Sequence, residues 1–245
     1  MILDFHVHAG QGDGMTGPWD TTAPLAAYAR RAREAGISHS ILLPVFQSDY
    51  AQGNRDVAAL VRADPGRWTG FAMVHAVRDR DRVHAMIEEA VLRLGLRGIK
   101  VHHHDAPIHR QVCDAAQRWQ LPVLYDPGGD VGALSLLAQT HPSVAFVFAH
   151  LGSFADDWAA QRRVIDLIER HPNLFADTAG VRRFDLLEEA LHRAGPHKLL
   201  FGSDGPWLHP GLELAKIRAL RPSADAFASI AGGNALRLLR RVSVA

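Results

Sequence analysis

The feature that most constrains the fold of this chain is an alternation, repeated eight times, between a short apolar run and a longer amphipathic stretch. The apolar runs are four to seven residues long and rich in aliphatic residues, which is typical of buried β-strands. We predict strands at Ile2–Val7, His39–Val45, Thr69–His75, Gly98–His102, Pro122–Tyr125, Val144–Ala149, Leu174–Asp177 and Lys198–Phe201. We predict helices at Pro24–Ala35, Asn54–Ala63, Asp81–Leu94, Ile108–Trp119, Val131–Thr140, Trp158–Arg170, Phe184–Ala194 and Leu212–Leu220, and a last helix at Ala226–Leu239.

Eight strands that alternate with eight helices over 245 residues are the pattern of a (β/α)8 barrel. An open, doubly wound sheet also alternates, but the strand count and the chain length both fit the barrel without remainder. The chain has no low-complexity linker and no break in composition. We therefore predict an α/β fold in which residues 1–245 form a single (β/α)8 TIM-barrel domain.

The composition excludes several classes of partner. The formal net charge is +1 and no basic stripe with interleaved aromatic residues stands out, so nucleic acid is not expected. No run of eighteen apolar residues occurs, so no membrane span is expected. The one cysteine, Cys113, excludes an intramolecular disulfide and suits a reducing compartment. Because the first residues are too polar for a signal peptide, the expected location is cytoplasmic.

Polar residues stand at the ends of several predicted strands, which are apolar up to that point. In a barrel the C-terminal ends of the strands share one mouth, and catalysis takes place there. A packed core would not select this placement, whereas a shared polar site would. The residues so placed are His6, His8, Lys100, His102, Tyr125, Asp126, His150 and Asp204.

His6 and His8 are two positions apart on the first strand, so their side chains project to the same face, and Asp4 precedes them on that face. Two imidazoles placed this way suit a zinc-like ion that keeps one position open. The alternative is a pair of core histidines satisfied by hydrogen bonds. Because His150 and Asp204 end other strands, we favour a shared metal site, although Asp204 also suits a turn and His150 an ordinary buried position.

Six short stretches follow one another along nearly the whole chain: DFHVH, GIKVH, LPVLYDPGG, FAHLG, FGSDGP and GGNALRLL. In these stretches the chain resembles the amidohydrolase superfamily, in the amidohydrolase-2 branch that includes aminocarboxymuconate-semialdehyde decarboxylase-like enzymes. The resemblance implies one divalent ion at the barrel mouth, most often Zn, with His6 and His8 as ligands. It further implies that Asp204 is a ligand that also acts as a base and that His150 is the catalytic histidine, and it makes a homodimer plausible.

One residue departs from the family pattern. Related sequences end the fifth strand with a histidine ligand, and Asp126 stands there in this chain. Asp126 could bind the metal directly, giving two histidines and two carboxylates, a set that would suit Mn, Fe or Co as well as Zn. Alternatively His102 or His150 completes the set and Asp126 orients an imidazole, or metal binding is lost. We take Asp126 as a metal ligand.

The predicted substrate contacts are Lys100, His102, Gln47, Trp19 and Trp207. In some superfamily members a carboxylated lysine on the fourth strand bridges two metals. For Lys100 we prefer the simpler role of a cation that binds a substrate carboxylate, because a buried lysine has reason to pair with an anion.

The predicted function is metal-dependent hydrolysis of a small amide or lactone, with His150 and Asp204 moving protons. The alternative is non-oxidative decarboxylation of an unsaturated or aromatic carboxylate, and a metal-free binding barrel is the third possibility. A second carboxylate on the ion would favour metal-activated water less, because it lowers the positive charge of the centre. An arginine that reaches the mouth, with Arg55 and Arg78 as candidates, would favour decarboxylation.

Overall fold

The structure is a computed structural model that describes residues 1–15, 21–154, 157–240 and 242. Within these residues, eight parallel strands form the wall of a barrel, and the third strand is interrupted at Phe71. The strands are β1 (Leu3–His8), β2 (His39–Leu43), β3 (Trp68–Gly70 and Ala72–Met73), β4 (Ile99–His102), β5 (Val123–Asp126), β6 (Phe146–Phe148), β7 (Leu174–Asp177) and β8 (Leu199–Leu200).

Hydrogen bonds close the sheet into a barrel. The first part of β3 pairs with β2 and its second part pairs with β4, so this strand joins the two halves of the wall. Between β8 and β1, the amide of Phe5 donates to the carbonyl of Phe201 at 2.8 Å. The amide of His8 donates to the carbonyl of Gly205 at 2.7 Å. The predicted (β/α)8 barrel is confirmed.

Ten α-helices lie in the described part of the chain. They are α1 (Leu25–Glu34), α2 (Tyr50–Ala63), α3 (Val83–Leu92), α4 (Arg110–Trp119), α5 (Leu134–Thr140), α6 (Trp158–Arg170), α7 (Phe184–Arg193), α8 (Pro210–Ala219), α9 (Ala224–Ala228) and α10 (Asn234–Leu239). The first eight each follow a barrel strand, as the alternation predicts. Alternate strand residues pack outward against these helices, for example Ile99 and Val101 of β4, so the intervening Lys100 and His102 face the interior.

The predicted last helix, Ala226–Leu239, is broken into α9 and α10. At the break, the carbonyl of Ile230 accepts a hydrogen bond from the amide of Phe201 at 2.9 Å. The break therefore attaches this segment to the residue that follows β8. The side-chain amide of Asn234 donates to the carbonyl of Leu199 at 2.7 Å, which ties α10 to the end of β8. The segment therefore closes the bottom of the barrel, where Leu238 packs in the interior core.

A β-bulge in β1 decides which of its residues face the mouth. Asp4 pairs with Ser40 and Val7 with Leu42, so one strand advances three residues while the other advances two. In a regular strand, neighbouring residues face opposite sides of the sheet, but the extra residue of a bulge reverses this alternation. Phe5 packs in the interior core, and the next residue, His6, also points inward, into the cavity at the mouth. The prediction that Asp4 shares the face of the two histidines is wrong for this reason.

The carboxylate of Asp4 holds the β8 end of the barrel in place. It accepts the amide and the hydroxyl of Ser203, the amide of His6 and, at 2.8 Å, the hydroxyl of Tyr28 from α1. Complete burial raises the pKa of Asp4 to about 7 even though these hydrogen bonds lower it. Since Ser203 precedes Asp204, the contact positions the last strand-end residue of the predicted site.

Asp4→Ala is expected to lower the free energy of unfolding by about 3 kcal/mol, because several buried donors lose their acceptor. Urea unfolding followed by circular dichroism measures the change. Asp13→Ala is the matched control, since its exposed carboxylate also accepts from a serine, Ser48, and its loss should cost far less. Equal destabilisation of the two variants would contradict the assignment of Asp4.

Candidate metal centre and active site

Three potential metal ligands, two from β1 and one from the loop after β8, converge at the mouth of the barrel. The Nε2 atoms of His6 and His8 lie 3.3 Å apart. The Oδ1 atom of Asp204 lies 3.5 Å from the first and 3.7 Å from the second. All three residues are buried, so these ligand atoms are largely shielded from bulk water.

The second nitrogen of each imidazole is already engaged. Nδ1 of His8 donates to the carbonyl of Pro44 at 2.8 Å, and Nδ1 of His6 lies 2.8 Å from Oδ2 of Asp177. With the proton on Nδ1, each Nε2 presents a bare lone pair to the other. Burial lowers the pKa of both histidines well below the ordinary value, which keeps the rings neutral.

Two bare imidazole nitrogens and a carboxylate oxygen repel one another unless a cation lies between them. Tetrahedral zinc with bonds of about 2.0–2.1 Å has ligand atoms about 3.3 Å apart. The separations of 3.3, 3.5 and 3.7 Å are close to this spacing. The donor set and its geometry therefore fit one divalent ion.

Asp204 reaches this position through a strained backbone. Its φ is 56°, in the left-handed region that residues with a side chain rarely adopt. The amide of Asp204 donates to the carbonyl of His6 at 2.8 Å, which joins the β8 end directly to β1. Such strain at a strand end is a common property of functional sites.

Lys100 lies beside the three ligands. Its side chain is fully buried, and Nζ is 3.4 Å from Nε2 of His6. Burial lowers the pKa of the amine, whereas the carboxylates of Asp126, Asp177 and Asp204 oppose this shift. Because Lys100 also lines the cavity, its amine can meet a negative group of a ligand there.

His150 lies after β6 in a left-handed turn, with a φ of 58°. Its Nδ1 donates to the carbonyl of Ala179 at 2.8 Å, and its backbone amide donates to Oδ1 of Asp177 at 2.8 Å. The ring is thereby fixed with Nε2 directed into the cavity, 3.5 Å from Oδ2 of Asp126. Burial lowers the pKa of His150, so Nε2 is available to take a proton.

Asp126, at the end of β5, pairs with His102 at the end of β4. Nε2 of His102 lies 3.0 Å from Oδ2 of Asp126, while Oδ1 accepts the amide of Gly128 at 2.9 Å. Burial raises the pKa of Asp126, but the neighbouring His102 and His150 lower it more, and the net pKa is well below the ordinary value. The carboxylate is therefore ionised.

Two groups of three histidine or acidic residues have ligand atoms within 4.8 Å of one another in the described part of the chain. The first contains His6, His8 and Asp204. The second contains His6, His150 and Asp177, in which Asp177 already holds Nδ1 of His6. Asp126 belongs to neither group.

A cavity of about 440 Å³ opens above these residues. Its floor is polar, and the aromatic rings of Phe46, Phe154 and Trp207 line it, with the Trp207 ring 4.7 Å from that of His8. His104 also lines the cavity, in the loop after β4. The cavity can therefore hold a small molecule with one flat apolar face and one charged end.

Some predicted substrate contacts lie elsewhere. The Gln47 side chain packs against Gly53 of α2 and does not line the cavity. Trp19 lies outside the described residues. Of the two candidate arginines, Arg78 donates to the carbonyl of Gln47 and Arg55 donates to Gln52, and neither lines the cavity.

Asp177 is the residue that sequence reasoning missed. One of its oxygens holds Nδ1 of His6, and the other accepts the amides of His150 and Ala179. It thus orients a candidate metal ligand and the candidate catalytic histidine at once. Its position at the polar end of β7 is the same signal that singled out the other strand-end residues.

Comparisons with known proteins agree with this architecture. A sequence profile of the amidohydrolase-2 family, described as amidohydrolase, matches residues 4–241. No curated protein matches the chain by sequence. Among the described residues, no helix is long and apolar enough to cross a membrane.

Three solved structures illustrate the similarity of fold. A dihydroxybenzoic acid decarboxylase from Polaromonas sp. JS666, with bound manganese and the inhibitor 2-nitroresorcinol, is 17% identical, with 98% of this chain and 96% of the other covered and a TM-score of 0.74. The 5-carboxyvanillate decarboxylase of Sphingomonas paucimobilis is 16% identical, with 99% of each chain covered and a TM-score of 0.72. A zinc-containing amidohydrolase from Burkholderia multivorans is 17% identical, with 98% and 99% covered and a TM-score of 0.77.

Proposed function

The chain belongs to the amidohydrolase-2 family, and from this premise we propose that it is a metal-dependent, non-oxidative decarboxylase of a small unsaturated or aromatic carboxylate. The family membership and the enzymatic character predicted from the sequence are confirmed, and the converging atoms of His6, His8 and Asp204 support the predicted divalent metal. Between the two predicted reactions, decarboxylation has more support than hydrolysis of an amide or lactone. Two of the three solved structures described above are decarboxylases of substituted aromatic acids.

The observation that carries the proposal is the placement of Lys100 beside the three metal ligands. Its ammonium group is the one lysine or arginine cation that lines the cavity in the described residues, and it lies 3.4 Å from Nε2 of His6. A carboxylate seated between this ammonium and a divalent ion is held from two sides. In this proposal Lys100, rather than Arg55 or Arg78, supplies the cation that binds the substrate carboxylate.

The aromatic rings suit the rest of such a substrate. Phe46, Phe154 and Trp207 offer flat apolar surfaces, whose favoured partners are other planar π-systems. A conjugated or aromatic ring also stabilises the negative charge that develops on carbon when carbon dioxide leaves. The polar floor and the aromatic rings therefore support one class of substrate.

The reaction requires one proton. A bound divalent ion would supply positive charge that holds and polarises the substrate oxygens. The carbon–carbon bond to the carboxylate breaks, its electron pair stays on the substrate carbon, and that carbon takes up a proton as carbon dioxide leaves. Nε2 of His150 and the carboxylate of Asp204 both line the cavity and are the groups that hold and deliver this proton.

Hydrolysis of a small amide or lactone is the second candidate. It is favoured by His150, whose neutral ring directs a bare Nε2 into the cavity and so could take a proton from water. A metal-free binding barrel has less support, because the converging ligand atoms of His6, His8 and Asp204 have the spacing that suits a divalent ion.

The two reactions differ in a product that is simple to measure. The purified protein, loaded with Zn²⁺ or Mn²⁺, is incubated with hydroxybenzoates, carboxyvanillate and small unsaturated acids, and with a matched panel of amides and lactones. We expect carbon dioxide in equal amount to the decarboxylated product from at least one acid, and none from protein stripped with a chelator. Hydrolysis of a lactone or amide with no carbon dioxide from any acid would overturn the proposal.

A further inference from the structure

We infer that Asp126 is not a metal ligand and is instead a positioning residue that holds the imidazoles of His102 and His150 from two neighbouring strands. The metal part of this inference is independent of the reaction, and only its kinetic consequence rests on the proposed function. The cavity thus contains two separate sets of residues. His6, His8 and Asp204 hold the ion, and Asp126, His102 and His150 form a second set beside it.

The hydrogen bonds of Asp126 leave it little freedom to turn toward the ion. Oδ1 accepts the amide of Gly128 at 2.9 Å, and Oδ2 lies 3.0 Å from Nε2 of His102. Nδ1 of His102 accepts the amide of His104 at 3.0 Å, so the ring carries its proton on Nε2. His102 is therefore a donor to Asp126, and both carboxylate oxygens are engaged.

His150 approaches the same oxygen from the other side. Because its Nδ1 donates to the carbonyl of Ala179, its Nε2 faces Oδ2 of Asp126 at 3.5 Å. A proton that Nε2 takes up from this neutral ring's surroundings therefore points at the carboxylate of Asp126. Asp126 thus fixes the direction in which His150 carries a proton.

The separation of the two sets has a consequence for the metal. With His6, His8 and Asp204 as its protein ligands, the ion carries a net charge of +1, and it would be neutral if Asp126 were a fourth ligand. A positive ion beside Lys100 attracts an anionic substrate more strongly than a neutral one. A divalent ion held by these three residues alone would have room for a substrate oxygen as a further ligand.

The test compares Asp126→Asn with Asp204→Asn and with Asp114→Asn. The control is matched, because Asp114 also pairs with an imidazole, that of His141 at 3.2 Å, but lies on α4 outside this cavity. Metal stoichiometry is measured by elemental analysis and Zn²⁺ affinity by competition with a chromogenic chelator. A proton NMR spectrum reports the hydrogen-bonded Nε2 proton of His102 as a downfield resonance.

We expect Asp126→Asn to keep one Zn²⁺ per chain with an affinity within about threefold, whereas Asp204→Asn loses about 100-fold or more. Asp126→Asn should also lose the downfield His102 resonance and lower kcat by about 10²-fold or more with little change in KM, as expected when proton transfer is misaligned. Asp114→Asn should change none of these quantities.

Two results would overturn the inference. Loss of Zn²⁺ affinity in Asp126→Asn comparable to that in Asp204→Asn would make Asp126 a ligand. An unchanged downfield His102 resonance in Asp126→Asn would show that the Asp126 carboxylate does not hold the His102 ring. Both readouts need no substrate, so a failure of the proposed decarboxylation leaves them decisive.

Discussion

His8→Ala is expected to remove the bound metal and to lower kcat/KM by at least about 10³-fold, because the several kcal/mol of charge stabilisation that the ion provides are lost with it. His8 contributes one of three converging ligand atoms, and its Nδ1 bond to the carbonyl of Pro44 fixes the ring in place. Two ligands rarely retain a divalent ion in water, whereas structural and catalytic sites use at least three.

Elemental analysis and steady-state kinetics on the same preparation check this result. His39→Ala is the control, since His39 is a partly buried histidine on β2 that bonds to Thr69 at 2.9 Å and lies outside the cavity. Full metal content and activity in His8→Ala would contradict the assigned centre. The wild-type protein, stripped with a chelator, should regain activity when Zn²⁺ or Mn²⁺ is added.

Lys100→Met is expected to keep the metal and yet lower kcat/KM for an acidic substrate by about 30-fold to 10³-fold, the range that corresponds to losing a buried charge-assisted contact. The ammonium group lies 3.4 Å from Nε2 of His6, so its removal also eases the approach of a dication. Metal affinity should therefore stay the same or rise while substrate binding weakens.

The control for Lys100→Met is Lys198→Met, which removes the other buried lysine of the described residues. Lys198 donates to the carbonyls of His171 and Leu174, away from the cavity, so it tests for effects of unfolding alone. Circular dichroism, metal content and kinetics are measured together. Loss of metal in Lys100→Met would contradict the substrate-binding role and would favour a modified lysine that ligates the metal.

The sequence predicted which residues reach the mouth better than it predicted how they interact. His6, His8, Lys100, His150 and Asp204 all line the cavity, as their positions at strand ends indicate. Their roles remain predictions that the variants above test. The reason for this success is general, because the C-terminal ends of parallel strands in a barrel meet at one rim.

The same pattern failed where a local irregularity changed the alternation of faces. The bulge in β1 turns Asp4 outward, toward Tyr28, although a regular strand would place it on the face of His6. A single extra residue leaves no clear mark in a strand of six. Loop residues were also difficult to place: Gln47, predicted at the cavity, packs against Gly53.

By itself, the sequence determined the barrel and the residues at its rim, because apolar periodicity and strand-end position are local properties that the chain order records. Only the tertiary structure decided which nitrogen of each histidine is free and which carboxylates share a cluster. The carbonyls of Pro44 and Ala179 and the carboxylate of Asp177 set those choices, and they come from other strands or loops. Hydrogen bonds between segments far apart in the chain depend on how the barrel closes, and no local pattern of residues specifies that.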